Sequence, residues 1–400
     1  MLQKTNHLVG GVLLIVGTSI GAGMLALPVT SATVGYFDAN IFLLISWLIM
    51  TIGALLVLEV NLYLPSGSNM ISMAMETLGT KGKYLTWFLY LIFLYTLVSA
   101  YISGGSDVLQ EVLSHINIRL PNFVASILFT LGLGAIVYNG IKIVDYFNRG
   151  LMFAKLGILI LLMIIISPYV STTQLWLDKF QYLSGSLMVM VTSFGFASIV
   201  PSLRQYFDND VKLLRKAIYI GSLIPLVCYI IWNTVLMGVL PQETLNQIAH
   251  DGHTTSGLIQ QLNSKTHSYL ITDFFRGFSA ICMLTAFLGV SIGLFDFIAD
   301  GLKMQKKGKS GAIIFACTFT PPLALVLFYP DAYLGALQFA GLLCILLLLF
   351  IPTLMAYRGR YYKAFKGDYT LQGGKLALVT IGIIASALML FAILEMLKLI

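Results

Sequence analysis

The chain has 400 residues, of which 58% are hydrophobic and 10% are charged, and its mean hydropathy is +0.89. Such a composition excludes a soluble globular protein, whose surface needs far more charge, and indicates a chain dissolved in lipid. The formal net charge of +7 does not indicate a nucleic-acid partner, because the basic residues lie in short segments between apolar runs.

Eleven apolar segments are candidates to cross a hydrocarbon core about 30 Å thick, which takes roughly 20 helical residues. The predicted spans are residues 8–34, 39–63, 84–113, 122–140, 149–167, 183–201, 217–240, 269–298, 311–328, 332–356 and 375–397. We therefore predict an all-α polytopic membrane protein with eleven transmembrane helices. The first apolar run is expected to be a retained span rather than a removed signal peptide.

The basic residues predict the orientation of these spans. If the amino terminus lies in the cytoplasm, most of the 24 Lys and Arg residues fall in cytoplasmic segments. The basic residues on the other side are then Arg119, Lys179, Lys265 and Lys398. The positive-inside rule thus predicts a cytoplasmic amino terminus and, with an odd number of spans, a periplasmic carboxyl terminus.

The longest outer segment, about residues 241–268, is expected to be a loop over an outer vestibule. Its histidines are irregularly spaced, and the four cysteines lie in apolar runs without metal-ligand spacing, so we expect no metal, no disulfide and no cofactor. The cysteines are Cys228, Cys282, Cys317 and Cys344.

Glycine and hydroxyl residues interrupt the first span, where an ordinary anchor would carry leucine. The segment reads Gly17-Thr18-Ser19-Ile20-Gly21-Ala22-Gly23-Met24 and is followed by Pro28. Glycine costs about 1 kcal/mol in a helix interior, and unpaired backbone in lipid costs several times more. Two explanations are open: small residues allow close helix packing, or the helix is broken to form a binding site.

The sixth span carries a similar interruption, which favours the binding site. Its Thr192-Ser193-Phe194-Gly195-Phe196 shares Thr-Ser-x-Gly with the first span, and Pro201 follows it as Pro28 follows the first. Because the sixth span comes five spans after the first, which is an odd step, the two segments cross the membrane in opposite directions. Paired interruptions in inverted halves are typical of the substrate site of a secondary transporter.

A broken helix suits a zwitterionic substrate. Where the first span unwinds, the amides of Gly21, Ala22 and Gly23 begin a new half-helix whose dipole favours a carboxylate. Freed carbonyls near residues 17–18 and 192–193 are expected to accept hydrogen bonds from an ammonium group. Neither span has a charged residue at its centre. The sequence therefore predicts that backbone groups bind an amino acid.

At these residues the chain resembles the aromatic amino-acid permeases of the amino acid, polyamine and organocation superfamily, and most of all their tyrosine-specific members. The resemblance covers nearly the whole chain. Besides the two interruptions and Leu25, it includes Ala100-Tyr101-Ile102-Ser103-Gly104, Phe147-Asn148-Arg149, Phe287-Leu288-Gly289-Val290, Gly293-Leu294-Phe295-Asp296 and Phe328-Tyr329-Pro330. The chain departs from the tyrosine-specific pattern at Phe196-Ala197-Ser198, where a bulkier polar residue is expected.

The resemblance implies a leucine-transporter-like fold with discontinuous helices 1 and 6. A first five-helix repeat would cover residues 1–168, an inverted second repeat 169–356, and a cytoplasmic loop with an eleventh helix 357–400. It also implies proton-coupled uptake of an aromatic amino acid, first of all tyrosine, across a bacterial inner membrane. Tryptophan or phenylalanine as substrate, and sodium as coupling ion, stay open as alternatives.

Lys155 is a charged residue within the fifth span. It lies six residues beyond Arg149, which is about 9 Å deeper in a helix. Depth alone leaves two interpretations equal: a side chain that reaches back to the interface, or a functional intramembrane charge. The resemblance favours the second, because in proton-coupled relatives a fifth-span lysine stands where sodium binds between the first, fifth and eighth helices. Since burial disfavours the charged ammonium, we predict that Lys155 carries the coupling proton.

Side chains at the depth of the breaks are predicted to complete the pocket. Aromatic residues would stack on an aromatic substrate, and hydroxyl or amide groups would bind a phenol hydroxyl. The candidates outside the breaks are Tyr95, Ser99, Tyr101, Thr285, Phe287 and Gln338, and those within them are Thr18, Ser19, Ile20, Gly21, Ala22, Gly23, Thr192, Ser193, Phe194, Gly195, Phe196 and Ser198.

Other charged residues lie near span ends. Glu59 is expected to be solvated or paired with a lysine, and Asp273 and Arg276 are expected to pair as i and i+3 neighbours. Asp107 has no evident partner in the sequence.

Two further function classes are disfavoured. A membrane enzyme would need convergent nucleophile, base or metal residues, and no motif of that spacing occurs. A channel would need a continuous pore lined by charged rings, whereas inverted broken helices favour alternating access. The expected partners are an aromatic amino acid, a proton and the lipid bilayer, with no nucleic acid and no obligate protein partner.

Overall fold

The computed structural model describes residues 2–176 and 184–397, which are helical apart from short connections. The α-helices are α1 (Leu2–Ser19), α2 (Ala22–Ala32), α3 (Tyr36–Asn61), α4 (Met70–His115), α5 (Asn122–Tyr138), α6 (Ile141–Ile166), α7 (Thr172–Trp176), α8 (Ser184–Ser193), α9 (Val200–Tyr206), α10 (Val211–Val239), α11 (Gln242–Asp251), α12 (Thr254–Thr266), α13 (Tyr269–Leu302), α14 (Gly308–Phe328), α15 (Ala332–Ile345), α16 (Ile351–Tyr361) and α17 (Gly374–Met396). Short 3-10 helices cover Ser167–Tyr169 and Gly195–Ile199, and a π-helical turn covers Leu346–Phe350.

The all-helical membrane class is confirmed. Within the described residues, nine helices are long and apolar enough to cross a membrane, and counting the bent pair α1 and α2 as one span gives ten. The sequence predicts eleven. The predicted fourth span, residues 122–140, corresponds to α5, an apolar helix of 17 residues that is short for a bilayer core.

The first predicted interruption is a sharp bend between α1 and α2. The two helices meet at 53°, with Ser19 ending one and Ala22 beginning the next. Glycines on both sides of the bend lower the helix propensity by about 1 kcal/mol each relative to alanine. The backbone therefore leaves the helix where the loss of helical structure costs least.

The sixth span is interrupted more gently. After α8 ends at Ser193, Phe194 leaves the helical region with φ −106° and ψ 24°, and a 3-10 helix runs over Gly195–Ile199 before α9 begins. Pro201 lies in the first turn of α9, where its missing N–H has no intrahelical acceptor to lose. Both interruptions thus occur where glycine and proline predict them.

The tenth span, formed by α15 and α16, contains an interruption that the sequence does not predict. Its π-helical turn over Leu346–Phe350 lies against α3. A methyl group added to Gly53 of α3 would lie only 2.3 Å from the carbonyl oxygen of Leu348. Glycine is therefore required at position 53 for the two backbones to touch.

We define the amino-terminal side as the side of the membrane from which α1 enters. On the opposite side, residues 241–268 form α11 and α12, so the expectation of an irregular loop was wrong. The signal was present in the sequence as helical spacing: Leu245 and Ile248, and then Leu258 and Leu262, are buried at i, i+3 and i, i+4 separations. The two helices pack on α2 and α13 and cover the broken first span.

A buried ion pair fastens the amino-terminal side of α3 to α16. The Glu59 side chain is 0% exposed and accepts hydrogen bonds from Arg360 Nε (2.6 Å) and Nη2 (2.5 Å), from the Tyr63 hydroxyl (2.6 Å) and from the Leu371 amide (2.8 Å). The expectation that Glu59 is solvated or paired with lysine was wrong. Its partner is an arginine far along the chain, whose planar guanidinium satisfies both carboxylate oxygens.

Candidate functional site

The two interrupted spans touch at their breaks. A methyl group added to Gly23 would lie 2.8 Å from Ser193 Oγ and 3.5 Å from Ser193 Cα, so the start of α2 lies against the end of α8. Gly21 faces α13, where the nearest atom to an added methyl would be Ala286 Cβ at 3.9 Å. The structure thus brings together the two segments that the sequence pairs.

Lys155 of α6 lies at the first break. Its side chain is buried, and Nζ donates to the carbonyl of Ile20 at 2.5 Å and to that of Gly17 at 3.5 Å. These carbonyls belong to the end of α1, where intrahelical N–H partners run out and the helix dipole is negative. The ammonium therefore points into the protein, toward the break, and does not reach back to the interface.

Three aromatic donors that the sequence analysis missed also bind carbonyls at the breaks. The bonds run from the Tyr229 hydroxyl to Ser19 O (2.6 Å) and Ser193 O (3.0 Å), from the Tyr333 hydroxyl to Ala22 O (2.6 Å), and from Trp232 Nε1 to Met24 O (3.1 Å). A buried tyrosine or tryptophan needs an acceptor for its polar hydrogen. Tyr229 and Trp232 in the middle of an apolar span were the available signal.

These bonds alter the expectation that freed carbonyls bind a substrate ammonium. Gly17 O is engaged by Lys155 and Ser193 O by Tyr229. Thr18 and Thr192 do not aim their hydroxyls at the break either. Thr18 donates back to Leu14 O at 2.8 Å, and Thr192 bonds Met188 O at 3.0 Å and Leu337 O at 2.9 Å. Several carbonyl oxygens that were predicted to bind a substrate ammonium group thus already accept hydrogen bonds from side chains of the protein.

Donor groups remain at the start of α2. The first amides of a helix have no intrahelical acceptor, and here they belong to Ala22 and Gly23. Nearby Ser19 Oγ is buried and has no hydrogen-bond partner within the part of the chain that the structure describes. Together these groups form a neutral cradle suited to an anionic group.

Aromatic side chains surround the breaks. Phe194 and Phe196 are fully buried, and Phe194 meets the ring of Tyr229 edge to face at a centroid distance of 5.1 Å. Tyr101 of α4 is buried close to Tyr229 and Tyr333. Of the predicted aromatic residues, Tyr101 and Phe194 therefore lie nearest the break of helix 1.

Other predicted residues are engaged elsewhere. The Tyr95 hydroxyl donates to Cys317 O of α14 at 2.7 Å, Ser99 and Thr285 bond carbonyls of their own helices, and the Gln338 amide lies against Gly185. Phe287 meets Phe129 edge to face and stacks on Phe319, and Ser198 bonds Gly195 O at 3.2 Å. These side chains lie at the same depth in the membrane as the breaks, but they do not all point toward the breaks.

Exposed residues of α1 and α13 lie on the amino-terminal side of the breaks. Gly289 and Gly293 of α13 are exposed, and no atom of the described residues lies within 4 Å of a methyl added to either, although they lie seven and eleven residues after the fully buried Cys282, on the same helix face. On α1, Thr18 is exposed and Leu14 is 45% exposed. We call these four exposed residues together the amino-terminal passage.

On the opposite side, hydrogen bonds join α4 to α12. Asp107 of α4 accepts hydrogen bonds from the backbone amides of Thr255 (3.2 Å) and Ser256 (3.0 Å) and from the Ser256 hydroxyl (2.6 Å). A carboxylate from a neighbouring helix thus caps the positive end of α12. His253 Nδ1 lies 3.3 Å from the same carboxylate.

A second carboxylate one turn along α4 extends this contact. Glu111 accepts from Gln260 of α12 at 3.2 Å and pairs with Arg276 of α13 at 3.4 Å. Arg276 also pairs with Asp273 at 2.7 Å, so the predicted i, i+3 pair is confirmed. Asp107 and Glu111 therefore join α12 and α13 to α4.

The contact between His253 and Asp107 predicts a pH dependence of stability. The hydrogen bond to Asp107 raises the pKa of His253, with Asp331 and Asp251 acting in the same direction, while burial opposes the shift. A raised histidine pKa means that the stabilisation is complete below the ordinary value of about 6.5 and is lost as pH rises through the raised value. Because His253 is 49% exposed, the gain stays below about 1 kcal/mol.

His253→Gln is therefore expected to lower the unfolding temperature at about pH 5.5 more than at about pH 9. Thermal unfolding of the detergent-solubilised protein at both pH values measures this, with His250→Gln, in the exposed part of α11, as the control. An equal effect of His253→Gln at both pH values would contradict the charged contact.

Comparison with known proteins identifies the family of this chain. Residues 4–392 match the family described as the tryptophan/tyrosine permease family. Tyrosine-specific transport system 1 of Haemophilus influenzae is 35% identical over 380 residues, which cover 94% of each chain. Tryptophan-specific transport protein of the same bacterium is 31% identical over 391 residues, covering 92% of this chain and 93% of that protein.

The relatives include a protein named for a different cargo. Glutamine transporter 2 of Aliivibrio fischeri is 32% identical over 381 residues, covering 93% of this chain and 95% of that protein. The family match extends over both breaks, Lys155 and the helices that bind them. On this evidence the chain belongs to the tryptophan/tyrosine permease family and is a multi-pass membrane transporter rather than an enzyme.

Proposed function

We propose that this protein imports an aromatic amino acid, with tyrosine as the preferred substrate, together with protons by alternating access in a bacterial inner membrane. The observation that carries the proposal is the position of Lys155, an ionisable cation bonded to the end of the broken α1. Family membership supports an aromatic amino acid as cargo, and we put tyrosine first because a tyrosine-specific relative is 35% identical to this chain.

The substrate backbone binds at the start of α2 in this proposal. The amides of Ala22 and Gly23 and the buried Ser19 hydroxyl bind the carboxylate, which the positive end of the half-helix also attracts. The ammonium group then bonds carbonyls near residues 192–193, because Lys155 already donates to the carbonyls of Gly17 and Ile20. The substrate ring lies toward Phe194 and Tyr101.

Lys155 couples this site to the proton gradient. When it is charged, Lys155 attracts the negative end of α1 and holds it at the break. Loss of the proton weakens that attraction, so the end of α1 becomes free to move relative to α6. A lower external pH favours the charged form and a higher internal pH favours its discharge, which gives net transport inward.

Alternating access requires the repeat organisation that the family resemblance implies. The breaks at Gly21 and Ser193 belong to spans of opposite direction, which supports inverted repeats over residues 1–168 and 169–356, with 357–400 added. We place the amino terminus in the cytoplasm because the basic residues concentrate on that side. The amino-terminal passage is then the route of release into the cell.

Uptake of labelled tyrosine into proteoliposomes tests the proposal. An inwardly directed proton gradient is expected to drive accumulation, with unlabelled tyrosine competing better than tryptophan, phenylalanine or glutamine. Collapse of the pH gradient with a protonophore is expected to abolish accumulation. Accumulation driven by a sodium gradient alone would overturn the proton assignment, and stronger competition by tryptophan would overturn the substrate assignment.

A further inference from the structure

Tyr229 is the one described side chain that bonds both broken helices through a single atom. Its hydroxyl lies 2.6 Å from Ser19 O, at the end of α1, and 3.0 Å from Ser193 O, at the end of α8. The side chain is fully buried. No role at the breaks follows from its position in the sequence, since it lies on α10, outside both interrupted spans.

The two carbonyls share an electrostatic character. Ser19 ends α1 and Ser193 ends α8, so both oxygens lie at the negative end of a helix dipole. Two such ends repel each other unless a positive or hydrogen-donating group lies between them. The Tyr229 hydroxyl is that group here, and it is uncharged, so it bridges the two ends without the cost of burying an ion.

The ring of Tyr229 is held in place independently of its hydroxyl. Phe194, which follows Ser193 directly, packs edge to face against it. On the same face of α10, Trp232 bonds Met24 O and Asn233 bonds the Ser31 hydroxyl at 2.8 Å, and both acceptors lie on α2. α10 is thus bonded to both parts of helix 1, and among the described side chains of α10 Tyr229 is the one that also bonds helix 6.

A phenol has one hydrogen, whereas two acceptors face it. In this structure the Ser19 bond is the shorter, so Tyr229 holds α1 more closely than α8. Movement of either helix end changes the bond to the other, because the hydrogen is shared between them. Such sharing gives a direct mechanical link between the two breaks.

We propose that Tyr229 is a positioning residue that ties the end of α1 to the end of α8, so that the two broken helices change conformation together. This inference rests on the proposed transport function but assigns Tyr229 no contact with the substrate. The Tyr229 hydroxyl is needed for the conversion between the conformations of the transport cycle. It contributes little to the binding of the substrate.

Tyr229→Phe removes the hydroxyl and keeps the ring that packs on Phe194. We expect the maximal rate of tyrosine uptake in proteoliposomes to fall about tenfold or more, as the loss of a buried hydrogen bond allows. The dissociation constant for tyrosine is expected to stay within about threefold of the wild type. Replacement of Tyr229 by p-aminophenylalanine, which restores a donor at this point, is expected to recover most of the rate.

Tyr36→Phe is the matched control. The Tyr36 hydroxyl also bonds α10, at 2.8 Å from Thr234 Oγ1, but this bond joins α10 to α3 and not to either broken span. The Tyr36→Phe protein is expected to transport tyrosine at the wild-type rate. Wild-type transport by Tyr229→Phe would overturn the proposal, and so would a loss of rate that p-aminophenylalanine does not recover.

Hydrogen exchange followed by mass spectrometry tests the link without any substrate. In Tyr229→Phe, amides of residues 14–24 and of residues 186–194 are expected to lose protection together. Loss of protection in only one segment would overturn the link even if the protein transports normally. If the wild type transports no aromatic amino acid, the proposed function fails, whereas joint loss of protection would still support the tie between the helices.

Discussion

Lys155→Met is expected to abolish the accumulation of substrate in response to an imposed pH gradient. The change removes the ionisable group and leaves the carbonyls of Gly17 and Ile20 without their buried donor. Charge-assisted hydrogen bonds contribute about 1.5–3 kcal/mol each, so a fall of at least about 100-fold in the accumulation rate is expected. Uptake of labelled tyrosine by proteoliposomes at a fixed pH difference measures it.

Misfolding is separated from loss of coupling by two measurements. Unfolding temperature and tyrosine binding are compared between Lys155→Met and the wild type, and Lys309→Ala, an exposed change on the amino-terminal side, is carried through as control. The control is expected to transport normally. A Lys155→Met protein that still concentrates tyrosine in response to the pH gradient would remove Lys155 from the coupling mechanism.

Gly341→Ala is expected to cause the largest loss of stability among single methyl additions near the site. The added methyl on α15 would lie 2.1 Å from the carbonyl oxygen of Met188 and 2.6 Å from its carbonyl carbon, on α8. Backbone atoms cannot turn aside as a side chain can, so the helices must separate. We expect destabilisation of about 3 kcal/mol or more and reduced uptake, since α8 carries the Ser193 break.

Gly335→Ala provides the comparison on the same helix. No atom of the described residues lies within 4 Å of a methyl added there, and position 335 is exposed, so this variant is expected to unfold at the wild-type temperature. Thermal unfolding of both variants in one detergent gives the result. If Gly341→Ala unfolds at the same temperature as Gly335→Ala, α15 and α8 do not approach each other this closely.

Features that depend on neighbouring residues in the sequence could be predicted from it. Gly21, Gly23 and Pro201 lower the stability of a continuous helix locally, so the positions of both breaks follow from composition alone. Lys155 is recognisable because a charge within an apolar run is expensive and needs a purpose. Its acceptors, however, belong to the end of α1 and are known only when the helices are packed.

The neighbour that a side chain faces depends on how its helix is rotated about its axis, and this rotation could not be predicted from the sequence. Position along a span fixes the depth of Tyr95 and Gln338, but only packing decides that one faces α14 and the other Gly185. For the same reason the sequence analysis did not select Tyr229. Glu59 was expected to be solvated or paired with a lysine, because its true partner, Arg360, follows only after most of the chain.

If the substrate leaves by the amino-terminal passage, as proposed above, the two glycines of that surface affect the kinetics of release. Because Gly289 and Gly293 have no side chains, α13 offers no rotamer that must change before a planar ring passes. A bulky aromatic substrate and a smaller one would both pass the same glycine surface of α13. The rate of release would then be set by the movement of α1, which is the same for every substrate. Selection between substrates must therefore take place earlier, when the substrate binds at the breaks.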